Sequence, residues 1–165
     1  MNKIYYVDAL KLVLYPVSLT DVDFIMKICG VELKGNDAII CLMSLTDGLF
    51  SLPECRVKKL NIVDATDTDQ LQKFQFDFAK LMEDYQVEHV VIRERMTRGK
   101  FAGGAVGFKL EASIQLINDL SVSLISSARC KEIMKSSHLN MNFSDTGLKQ
   151  FQETSFMTAL AYLEQ

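Results

Sequence analysis

The stretch that decides the fold runs from residue 27 to 45, KICGVELKGNDAIICLMSL. Two β-rich runs, 27–33 and 38–45, flank Lys34-Gly35-Asn36-Asp37, and a Gly-Asn pair between apolar runs is a hairpin signal. Downstream, 55–62 (CRVKKLNI) offers a third strand, with Lys58 and Lys59 guarding an edge. Leu71, Phe74, Phe78, Leu81 and Tyr85 then recur at helical spacing after the acidic stretch Asp64, Asp67, Asp69, which suits a helix start. Residues 87–95 (VEHVVIRER) read as a strand, and 97–107 (TRGKFAGGAVG) as a Gly-rich loop. The loop leads into a helix carrying Val106, Leu110, Ile114 and Ile117. A short strand over 121–125, a short helix over 128–136 and a last helix over 146–163 complete the chain. The order β-β-β-α-β-α-β-α-α predicts an α/β fold. Its mixed five-stranded sheet has three antiparallel strands, then parallel additions through right-handed crossovers, with helices flanking it.

Composition bounds the answer. The chain has 165 residues, 48% hydrophobic and 24% charged, which suits one domain with its own core and rules out disorder. A single domain over 26–165 is expected, with 1–25 as an N-terminal appendage of uncertain status, since Pro16 interrupts any continuous helix there. Asp8 and Lys11 break a signal-peptide core, and no apolar run is long enough to span a membrane. Cys29, Cys41, Cys55 and Cys130 form no C-x-x-C pair, so reduced thiols and a cytoplasmic location are expected. A net charge of −3 argues against a generic nucleic-acid coat, so any such contact must use a local patch.

The informative residues break the apolar pattern. Alternation places Ile28, Gly30 and Glu32 on one face of their strand, and Val90, Ile92 and Glu94 on one face of theirs. Both rows end in a carboxylate, which is costly to bury unless it is paired, hydrogen-bonded or metal-bound. In α/β sheets, site residues gather beyond the strand ends. Glu32 and Glu94 are therefore candidate metal or acid/base residues, with a rim pairing to Arg93, Arg95 or Lys34 as the alternative. Glu153, on the shoulder of the last helix, is the candidate third ligand, or else part of a solvated helix face. Asp145 reads as a helix cap. Arg93, Arg95, Arg98 and Lys100, with Lys109 beyond, form the densest basic run, interleaved with Gly99, Gly103, Gly104 and Gly107. Such a loop either grips phosphate or uses its glycines for close helix–sheet packing. The spacing matches neither a Walker loop nor G-x-G-x-x-G, and His89 and His138 form no hydrolase arrangement. Asp145-Thr146-Gly147 resembles a phosphate-loop fragment of actin-like ATPases, but those need two such domains.

The strand order and the two strand-end acids resemble the ribonuclease H-like superfamily, particularly the RuvC-type Holliday junction resolvases. ICGVELKGNDAIICLMS is similar to that group's first hairpin, with Glu32 at the position of the first catalytic aspartate. VVIRERMTRGKFAGGAVGFKLEASIQLI resembles the segment where a strand-end glutamate, here Glu94, precedes a basic loop and helix. More closely, GVELKGNDAIICLMSL, LQKFQFDFAKLMEDY, RGKFAGGAVGFKLEA and DTGLKQFQE resemble an uncharacterised bacterial family of unknown function near the RuvC-like group. The resemblance implies a divalent-metal phosphodiesterase acting on structured DNA or RNA. Glu32, Glu94 and Glu153 would hold Mg²⁺ or Mn²⁺, while Arg93, Arg95, Arg98, Lys100 and Lys109 would hold the backbone. Resolvases carry paired acids near D-x-x-D-A-L-A on the last helix, whereas residues 155–161 here read SFMTALA. That departure keeps a second expectation open, a catalytically degenerate nucleic-acid-binding or protein-interaction module, with a homodimer among its forms.

Overall fold

Ten residues on each side of a Gly35 turn, buried on both faces through their middles, build the central hairpin, β2 (Ile25–Lys34) against β3 (Asp37–Thr46), in register from Ile25↔Thr46 to Lys34↔Asp37. Gly35 takes the left-handed backbone (φ +59°) that the turn requires. The computed structural model describes residues 3–6 (as backbone), 25–100, 102–137 and 142–165. Phe101, His138 and most of segment 1–25 lie outside them.

Seven strands among the described residues form one mixed sheet rather than the expected five. Its order is β1-β4-β3-β2-β6-β7, with β5 also on β3. The additions are β1 (Lys3–Tyr6) and β4 (Leu49–Leu52), which pair antiparallel with each other. The third strand expected over 55–62 contracts to β5 (Lys59–Asn61), because β4 and β5 divide the free edge of β3. β4 pairs with Ser44–Thr46 and β5 with Asp37–Ile39. Pro53 lies just past β4 and has no N–H to continue a ladder.

Parallel growth follows as expected. α1 (Thr68–Asp84), N-capped by Asp67, leads to β6 (His89–Arg93), and α2 (Ala105–Gln115) leads to β7 (Ser121–Ile125). β6 lies parallel to both β2 and β7. α3 (Ser127–Ser136) is capped by Ser126. The last helix, α4 (Glu153–Leu163), begins seven residues later than the spacing predicts. Gly147 turns into the left-handed region (φ +76°), and two 3₁₀ turns, Phe143–Asp145 and Gln150–Gln152, occupy the interval.

The two sheet faces carry separate cores. Cys29, Val31, Leu33, Val90 and Ile92 pack under α1 and α2 with Phe74, Phe78, Leu110 and Ile114. Ile28, Cys41, Met43 and Val91 pack on the other face with Cys130, Ile133, Phe156, Ala159 and Leu160 of α3 and α4. The cysteines are free thiols, and burial pushes Cys41 up to about 12, so it behaves as a small apolar side chain. α4 runs antiparallel to β2 and β6. Tyr162 stacks on His89 at the start of β6 (centroids 4.5 Å apart), and Ala159 crosses Gly30 at mid-strand. A Cβ at Gly30 would collide with the Ser155 carbonyl and with Ala159 (Cβ 2.8 Å, N 2.9 Å).

Gly30→Ala should therefore cost about 3 kcal/mol or more, read as a lowered urea midpoint, because backbone rather than a flexible side chain must move. A second expectation concerns His89, whose Nε2 lies 2.7 Å from Ser123 Oγ and whose pKa burial lowers. Folding then favours the neutral ring. Its contribution is complete above the unfolded value of about 6.5 and is lost as pH falls through the lower folded value. His89→Gln should flatten that part of the stability–pH curve.

Candidate functional site

Because α4 opposes β2 and β6, its N-terminus stands over the strands' carboxyl ends, where β7 also hands over to α3. Arg93, the last residue of β6, is the centre of this corner. Its Nε donates to Thr158 Oγ1 (3.0 Å) and its Nη1 to Ser127 Oγ (3.5 Å), tying α4 to the start of α3. Thr158 donates its own proton to the Thr154 carbonyl (2.6 Å), which leaves its oxygen free to accept from Arg93. Burial raises the Cys130 thiol pKa, and the adjacent guanidinium opposes that only in part.

Outside Arg93 a cleft of about 440 Å³ opens between α3 and α4. Lys131 and Lys135, one turn apart on α3, form one wall with Met134, while Glu153 and Met157 of α4 form the other. Glu153 accepts from Gln150 Nε2 (2.7 Å). Neither lysine has an ion-pair partner among the described residues, whereas Arg129 on the same helix is paired with Glu132 (2.9 Å).

The three carboxylates expected to hold metal do not gather. The β2–β6 register runs from Ile28↔His89 to Val31↔Ile92. Continued past its last pair, the register brings Glu32 level with Arg93 and, one residue on, Leu33 level with Glu94. Glu32 therefore follows Ile28 and Gly30 on the α4 face, while Glu94 follows Val90 and Ile92 on the α1–α2 face. Both acids end apolar rows as expected, but on opposite sides of the sheet. Neither carboxylate has a hydrogen bond or ion pair among the described residues. No three His, Cys, Asp or Glu side chains among them group to hold a metal ion. Arg93 rather than a second carboxylate lies level with Glu32, so this donor set does not fit Mg²⁺ or Mn²⁺.

The basic run also divides. Arg95 folds inward, 3.5 Å from Glu111 and 4.4 Å above the Phe108 ring, with both charged side chains only 13% exposed. Gly107 is glycine because a Cβ there would occupy the guanidinium's place, and a Cβ at Gly103 would come within 3.1 Å of Arg95 Cβ and 3.2 Å of the Phe108 ring. These glycines admit an arginine rather than a phosphate. Lys109 donates to the Ala65 carbonyl (2.8 Å) across the α1–α2 side, far from a phosphate role. Arg98 and Lys100 are exposed on the loop. Lys131, Lys135 and Thr158 were not singled out by spacing, although the i, i+4 pair of lysines was a signal of one cationic helix face.

A family model described as "Protein of unknown function (DUF3010)" matches residues 26–162. The chain belongs to that family. No curated protein sequence matches it. Among solved structures, it is similar to the RuvC of Thermus thermophilus, with a TM-score of 0.64 and 7% identity over 84% of this chain and 94% of that one. T. thermophilus RuvC in complex with a Holliday junction substrate gives a TM-score of 0.54 at 8% identity, covering 84% and 93%. The chain therefore has the RuvC-like, ribonuclease H-like fold. No helix among the described residues is long and apolar enough to cross a membrane.

Removing Arg95 strands Glu111 in a nearly closed site, so Arg95→Ala should cost about 3 kcal/mol in urea unfolding. Gly107→Ala should give a similar loss. The double variant should fall well short of the sum, since both changes break one interaction.

Proposed function

We propose that this protein binds structured nucleic acid through phosphate contacts at the carboxyl end of its sheet and does not cut it. The observation that carries this reading is the charge of the α3–α4 corner: Arg93, Lys131 and Lys135 face one cleft that holds the single carboxylate Glu153. Arg93 is fixed by Thr158 and Ser127, so it meets a phosphate oxygen without losing further side-chain freedom. The lysines add point charges on one side, and Arg98 and Lys100 are exposed on the loop that follows β6. RuvC of the same fold is known in complex with a Holliday junction, which supports a junction as the first ligand to try.

The test uses branched and linear DNA and RNA, with and without Mn²⁺, scoring binding and cleavage together. Binding is expected to weaken steeply with salt, as counterion release requires. Lys131→Ala with Lys135→Ala should reduce affinity about tenfold at low salt. Arg98→Ala with Lys100→Ala should reduce it less. Metal-dependent cleavage abolished by Glu32→Gln or Glu94→Gln would overturn the reading in favour of a working nuclease. Absence of all binding would leave a protein partner as the alternative.

A further inference from the structure

From the same cleft we infer a more specific ligand: one unstacked nucleotide, its base between Met134 and Met157 and its phosphate against Arg93, Lys131 and Lys135. The inference rests on the nucleic-acid reading above and adds what a phosphate patch alone does not require. A flat cationic surface suffices to hold a duplex backbone. This site is instead an open cleft between two helices, and its volume of about 440 Å³ lies within the roughly 300–1,000 Å³ of small-molecule pockets. Its two walls also differ in chemistry from a phosphate groove. Met134 and Met157, both partly buried, place thioethers on opposite helices. Methionine packs against aromatic faces and edges through its polarizable sulfur, and its unbranched chain adapts to any base.

The polar groups are arranged to match. Lys131 and Lys135 stand one turn apart on one side of Met134, which places the anion to the α3 side of the base. Glu153 on the α4 wall supplies an acceptor suited to an exocyclic amine or a ribose hydroxyl. A base already unpaired costs least to insert, so junction centres, loops and strand ends are the sources the cleft would sample.

The experiment titrates the full chain with three oligonucleotides matched in total nucleotides, and so in charge: a fully paired closed duplex, a duplex with one unpaired nucleotide, and a single strand. 2-Aminopurine at the unpaired position reports stacking. The two ligands with unpaired bases should bind roughly tenfold or more tighter than the closed duplex, with a change in 2-aminopurine emission. Met134→Ala with Met157→Ala should erase the preference, and a far-ultraviolet circular dichroism spectrum like that of the unaltered chain shows the variant to be folded. Met157→Leu, which keeps the volume, should retain it.

Equal affinity for all three ligands with unaltered emission would overturn the inference and leave the phosphate reading standing. Failure of every oligonucleotide to bind would overturn that reading. Calorimetric titration with adenosine monophosphate then decides the cleft by itself. Saturable binding lost in Lys131→Ala with Lys135→Ala would assign it to a free nucleotide, and no heat would overturn the pocket altogether.

Discussion

The close approach of α4 to β2 at Gly30 is the constraint on which the rest depends. Only a residue without a Cβ lets the Ser155 carbonyl and Ala159 lie directly on the strand. With the helix so close, Phe156 and Leu160 reach fully into the core beside it, and Tyr162 meets His89 at the far end. The helix axis is thereby pinned antiparallel to the strands. Its first turn must then overhang their carboxyl ends, the place where open α/β sheets collect ligands. The corner containing Arg93 is thus a consequence of packing at one glycine four residues from the end of β2.

Much of this architecture was legible because local and global preferences agree. The Gly35 turn, the β-rich apolar runs of β2 and β3 and the 3.6-residue spacing of α1 each specify one element without help from the rest of the chain. The failures have a common cause. β4 and β5 are short, and whether LFSL pairs with anything depends on the free edge of β3 rather than on its own residues. The start of α4 depends on whether residues 146–152 continue a helix, and a left-handed Gly147 decides that they do not.

The two strand-end acids are kept apart by a single residue of register. Alternation correctly placed Glu32 and Glu94 at the ends of apolar rows, but it cannot say which row lies on which side of the sheet. That is settled only when β2 and β6 align, and the alignment sets Arg93, not Glu94, on the side of Glu32. The sign of the corner therefore changes from anionic to cationic. A similar ambiguity governed the loop. Glycines next to arginines serve a phosphate or the arginine itself, and only the inward turn of Arg95 toward Glu111 and Phe108 distinguishes them.

A chain of net charge −3 repels a polyanion at long range, which constrains how such a corner can work. At physiological salt that repulsion fades within about 8 Å, the Debye length. Attraction from Arg93, Lys131 and Lys135 is felt over a similar distance. Binding must therefore come from groups brought into contact, with little electrostatic steering to raise the on-rate. A generic duplex presents only its outer phosphates to an open cleft and engages few of these groups. On the proposed reading, a distorted or unpaired segment would enter the cleft and engage both its charges and its thioethers. On that reading, selectivity for irregular structure would come from the added contacts inside the cleft rather than from long-range charge.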